Sequence, residues 1–193
     1  MKEKGLKASK EVIEFFLDSV GSDEFRIETE LEKLSLYTQV EITAEDIEKV
    51  AYKSTIPAID ELTFAMSEKR FDQAHKLVEE VLKGAEVIVV SASVAKHFID
   101  LLRIKVHVKE KDKYSWPDVS NYSRALSIPI PKMARFLGFK FKGWKNIPFN
   151  HVKAYSKEWL SEIVKRLFSL DRAIKMTEKP EVALHDFIEF LKR

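Results

Sequence analysis

Thr29-Glu30-Leu31-Glu32-Lys33-Leu34-Ser35-Leu36-Tyr37 reads as one amphipathic helix. Ile27, Leu31 and Leu34 recur at i, i+4 and i+7 on a single side, and Glu28, Glu30, Glu32 and Lys33 cover the remainder with charge. The pattern is that of a surface helix with a core-facing stripe. Ser22-Asp23 opens it, and it frays near Tyr37-Thr38. A helix precedes it, capped by Ser9 and ended by Gly21, with Val12, Ile13, Phe16, Leu17 and Val20 as its apolar face. Another follows, capped by Thr43 with Asp46 at the capping-box position and Ile47, Val50 and Ala51 inward. The three short helices of residues 1–53 make a small bundle with a thin core.

Composition agrees with an all-α fold. The 193 residues include only 5 Gly and 6 Pro, which favours long helices over short strands joined by tight turns. Hydrophobic residues make up 45% and charged residues 33%, a globular balance with a dense charged surface. The chain has no Cys, so disulfides, thiolate metal sites and cysteine nucleophiles are excluded. A net charge of +2 neither demands nor forbids a nucleic-acid partner. Val87 to Ala95, broken by Ser91 and Ser93, is too short to span a bilayer, and Met1-Lys2-Glu3-Lys4 opens no signal peptide. A soluble, cytoplasmic protein without membrane contact is expected.

Lys53-Ser54-Thr55-Ile56-Pro57 marks the domain boundary, since the residue before a proline resists helical geometry and Pro57 suits a first helical turn. Residues 57–193 then read as a helical bundle. Ile59, Leu62 and Met66 give its first helix a face. The second runs from Phe71 to Gly84 with Ala74, Leu77, Val78, Val81 and Leu82 inward. Glu86 to Lys109 is the longest: its β-branched start suits a strand, but Val94, Phe98, Leu101, Leu102 and Val108 continue at helical spacing. Lys109 to Lys113 is a solvated loop. Ser115-Trp116-Pro117-Asp118 is a capped start, Ile128 to Pro131 an extended connector, and Pro131 to Gly138 a short helix. Phe139 to Asn150 has no clean periodicity. Ser156 caps a long helix bearing Leu160, Ile163, Val164, Leu167 and Ile174, and Pro180 opens a last one with Val182, Ala183, Phe187, Phe190 and Leu191.

No catalytic constellation appears. The glycines at 5, 21, 84, 138 and 143 cannot form a phosphate-binding loop, and there is no nucleophile elbow. The histidines at 75, 97, 107, 151 and 185 are dispersed without zinc spacing and are expected at or near the surface. No metal and no cofactor is expected. Lys132, Arg135, Lys140, Lys142 and Lys145 alternate with Phe136, Phe139, Phe141 and Trp144, as in single-strand binders. The reading favoured here has these rings packing inward. A helix-turn-helix over 115–138 is disfavoured by its proline-rich turn. Lys105 and Asp171 each fall in the centre of an apolar stripe. Either they meet as a buried pair between two packed helices, or one stripe ends early and its charge reaches solvent.

Several segments, in order, resemble one family. Gly5-Leu6-Lys7 through Phe16-Leu17, Glu30-Leu31-Glu32-Lys33-Leu34 and Ile42-Thr43-x-Glu45-Asp46-Ile47 resemble the AAA+-type lid of the delta subunit of the bacterial DNA polymerase III clamp loader. Leu62 through Ala74 to Gly84-Ala85-Glu86, and Leu101-Leu102-Arg103-Ile104-Lys105, resemble the first half of its collar. Ser156-x-x-x-Leu160 and Leu170-Asp171-Arg172-Ala173-Ile174-Lys175 resemble its closing helices. The family often carries an Arg where Ile99 stands, and 128–150 follows its pattern poorly. The resemblance implies a lid over 1–53, a collar over 57–193, and a non-catalytic part in assembling the loader ring for DNA replication with other loader subunits. It also implies a fragment that begins inside the lid, the full-length protein's N-terminal domain being what binds and opens the sliding clamp. The alternative is a helical nucleic-acid-binding protein using 132–145.

Overall fold

The computed structural model describes residues 6–20, 24–38, 41–50, 57–140, 148–176 and 179–193. In chain order its helices are α1 (Lys10–Val20), α2 (Glu24–Tyr37), α3 (Ala44–Val50), α4 (Pro57–Ser67), α5 (Phe71–Gly84), α6 (Val87–His107), α7 (Trp116–Leu126), α8 (Ile130–Leu137), α9 (His151–Ala154), α10 (Lys157–Met176) and α11 (Pro180–Leu191). Two compact units result: Met1–Ser54 with Asp112–Asn150, and Thr55–Lys111 with His151–Arg193. The expected second domain, 57–193, is therefore interrupted, because residues 112–150 fold with the first unit. Helical periodicity tells that a segment has an apolar face. It does not tell which of two cores receives that face.

In the first unit α1 packs on α2, α3 and α8. Val12, Phe15, Phe16 and Val20 are buried, whereas Ile13 and Leu17, expected inward, are exposed. The buried face is rotated by one position because Phe15 brings more apolar area than either alternative. Leu34 is the buried residue of the α2 stripe, with Ile27 and Leu31 at its margin. Thr43 and Asp46 form the expected capping box: the Thr43 N–H donates to Asp46 Oδ2 at 2.9 Å and the Asp46 N–H to Thr43 Oγ1 at 3.2 Å. Ser115 and Asp118 do the same at the head of α7. Trp116 Nε1–H donates to Glu14 Oε2 at 2.8 Å, and α8 buries Met133, Ala134, Phe136 and Leu137. Gly138 ends α8 at φ +64°, and a Cβ there would lie 3.0 Å from the Asn150 backbone, so both conformation and space require glycine. The expected stop at Gly21, start at Ser22-Asp23 and boundary at Lys53 to Ile56 lie outside the described residues.

In the second unit α10 packs along α6, α4 on α5 and α6, and α11 on α5 and α10. Leu62, Met66, Val78, Val94, Phe98, Leu101, Leu160, Ile163, Leu184 and Ile188 fill the core, with Phe98 edge-to-face on Phe187 at 5.9 Å. The core also holds a polar knot. Two histidines expected near the surface, His97 and His151, are wholly buried. His97 Nε2 lies 2.8 Å and His151 Nε2 2.9 Å from Ser67 Oγ, at the end of α4. A hydroxyl has one proton, so at least one imidazole donates its Nε2–H to that oxygen. Tyr155 O–H donates to the Ser67 carbonyl at 2.8 Å. Burial, with the nearby Glu68 charge, pushes the Tyr155 hydroxyl far above its usual range, so it remains a donor.

Replacing Ser67 by Ala withdraws a buried partner from two imidazoles at once. We expect Ser67→Ala to cost about 1–3 kcal/mol in urea unfolding, with an unchanged helical spectrum. A cost near zero would show that the hydroxyl bridge carries no stability.

Candidate interaction surface

α6 carries two apolar stripes on opposite sides. Val90, Val94, Phe98, Leu101 and Ile104 face the core. Ile88, Ala92, Ala95, Ile99, Leu102 and Val106 recur at alternating spacings of four and three along the other side. Along that stripe Ile88 is 59%, Ile99 44% and Val106 49% exposed. It runs for about 27 Å of helix. A helix with one stripe only would be an ordinary amphipathic element; on the second stripe these three residues are left exposed among the described residues. Its rim is basic. Lys96 Nζ and Arg103 Nη1 each lie 3.3 Å from the carboxylate of Asp100, which is almost wholly buried and fixes both cations beside the stripe. Sequence reading found the core stripe of this helix and counted Leu102 with it, whereas Leu102 stands on the outer one. The signal was present as a second heptad phase, masked because a wholly apolar helix start also suits a buried segment.

The expected pairing of Lys105 with Asp171 does not occur, although α6 and α10 do pack. Lys105 Nζ donates to the Val152 carbonyl at 2.6 Å, one of the carbonyls that a four-residue helix leaves unpaired, and meets Glu110 at 2.9 Å. Asp171 is half exposed and pairs with Lys175 one turn on, at 2.7 Å. Leu170, beside it, takes the inward position between Leu167 and Ile174.

In the described part of the basic and aromatic segment the rings pack and Lys140 alone of the cations is exposed. Phe136 is fully buried, with Lys132 Nζ 5.6 Å above its ring, and Phe139 leans on Trp116 at 5.6 Å. Arg135 is half-buried and Lys140 exposed; Lys142, Lys145, Phe141 and Trp144 lie outside the described residues. Phe136 is thus closed to stacking with a base. Because α8 buries half of its eight residues, it is also poorly suited to reading a groove. Among the described residues no group of three or more His, Asp or Glu is placed to hold a metal ion, and no helix is long and apolar enough to cross a membrane.

No protein-family model matches the sequence, and no curated protein matches it. Among solved structures, the chain is similar to the Bacillus subtilis DNA clamp loader delta protein (YqeN), with a TM-score of 0.60 and 20% sequence identity. The fold resembles that of a clamp-loader delta protein. The match covers 100% of this chain and 53% of that one, so the chain spans about half the length of the structure it matches. At this identity the likeness is one of fold, and it agrees with the family resemblance of the sequence segments.

The observed partners set the outcome of two substitutions. Asp171→Ala removes an exposed pair one turn apart and should change unfolding stability by less than about 0.5 kcal/mol. Lys105→Met leaves a carbonyl without its donor and should cost about 1 kcal/mol. A larger loss for Asp171 than for Lys105 in urea titration would reverse this assignment.

Proposed function

We propose that this chain is a non-catalytic assembly module of clamp-loader type, acting in the cytoplasm in DNA replication. In this reading residues 1–53 correspond to a lid, the second unit to a collar, and the outer stripe of α6 receives a helix of a neighbouring loader subunit. The observation that carries it is the uncovered heptad stripe on the longest described helix, in a fold similar to a clamp-loader delta protein. Fold similarity supplies the kind of assembly, and the stripe supplies a surface that needs a partner. The complementary helix presents an apolar stripe against Ile88, Ile99 and Val106, and carboxylates opposite Lys96 and Arg103. Neither nucleotide hydrolysis nor opening of the sliding clamp is assigned to any of these residues.

Mixing the purified chain with the loader subunits of its source organism, followed by sizing chromatography, tests the reading. Co-elution that survives moderate salt is expected, because an apolar interface is not screened. Ile99→Asp should weaken association by about tenfold or more while leaving the helical spectrum intact. Binding to single-stranded DNA that collapses with added salt, without co-elution, would support nucleic-acid binding through 132–145 instead.

A further inference from the structure

α11 docks on α5 through a contact that includes two imidazoles. His185 and Glu189 stand one turn apart on α11 and both face His75 on α5. The two rings meet edge to edge with planes 20° apart and centroids 4.9 Å apart, and the Nδ1 atoms approach to 2.7 Å. On its other side His75 Nε2 lies 2.8 Å from Glu189 Oε1, the oxygen that also accepts from Lys192 Nζ at 2.5 Å. Lys192 first, and His75 second, hold the Glu189 carboxyl below the usual carboxylate range, so it stays an acceptor as the medium is acidified.

The protons can then be placed. A carboxylate has none to give, so His75 donates Nε2–H to Glu189. Two Nδ1 atoms at hydrogen-bond distance share one proton between them. With His75 neutral, its Nδ1 is bare and accepts Nδ1–H from His185. A further proton is accommodated at His185 Nε2 without disturbing that bond. The next has to go to His75 Nδ1, where two N–H groups would point at each other across 2.7 Å between two cations.

We propose that His75 and His185 form a one-proton clasp that holds α11 on α5 at neutral pH and releases it when both rings are protonated. The direction follows from the geometry. The bond needs one bare Nδ1, so its contribution is present while at least one of the two rings is neutral and is lost as pH falls and the second ring takes its proton. The counter-charge bonded to the pair is the Glu189 carboxylate, on the His75 side, and Lys192 shares it. From α10, Arg166 lines the adjoining groove with Asp186 and Glu189; from α4, Glu61 pairs with Arg70 at the head of α5; on α6, Lys96 and Arg103 are held by Asp100. Lys192 adds positive charge to the same corner.

Hydrogen exchange of the full chain at about pH 7.5 and about pH 5, corrected for intrinsic rates, reads the clasp directly. The amides of α11 should lose protection about tenfold or more on acidification relative to those of α6, and His185→Phe, which keeps an aromatic ring without nitrogens, should lack that pH dependence. Equal pH profiles for the two proteins would overturn the proposal. Should the variant not fold, ¹⁵N signals of the two wild-type rings decide it: a shared proton requires two coupled steps, and two independent single steps would refute the clasp.

Discussion

Ser67 holds the second unit together where its sequence is least continuous. The chain leaves this unit after Lys111 and re-enters it at His151, and the first residue back is a buried imidazole bonded to the Ser67 hydroxyl. The same oxygen meets His97 near the middle of α6, and the Ser67 carbonyl takes the Tyr155 hydroxyl as α10 is about to begin. One residue at the end of α4 therefore ties three segments that are remote in sequence. Buried polar groups are costly unless they are bonded, so the bonds converging on Ser67 favour one arrangement of the helices over near alternatives that an apolar core alone would tolerate. Phe64, edge-on to both imidazoles, closes the knot from the apolar side.

The long helix α6 links this core to the outer surface. Its inner stripe, with His97 among it, is committed to α4, α9 and α10. Its outer stripe repeats the same residue types in a second phase, and Asp100 sits at the border, buried yet gripping two surface cations. A buried carboxylate needs such partners, and holding them lowers the entropy lost when they meet a complementary surface. Core stability and a preorganised rim thus come from one residue.

Charges elsewhere follow local supply. Lys105 goes to a carbonyl left open by a very short helix, and Asp171 goes to the lysine one turn along, because both partners are nearer than the opposite helix's charge. Charge on an apolar stripe shows that a partner is needed and leaves open which one.

The all-α class and many helix ends were legible in residues alone, though the short α9 was not: Thr43 with Asp46, Ser115 with Asp118, Pro57, Pro180 and Gly138 act within a few positions of themselves, where backbone geometry decides. The family resemblance was carried by short ordered segments, and the fold agrees with it. Tertiary structure alone decided which core received 112–150, which side of α1 turned inward, and that His97, His151 and Ser67 meet. It also decided that His75 and His185 touch across 110 positions, and that Ile88, Ile99 and Val106 on the second stripe of α6 stay exposed. The reason is physical: capping and periodicity are local and repeat along the chain, whereas burial depends on which faces compete for the same volume, and that is settled only when all helices are packed.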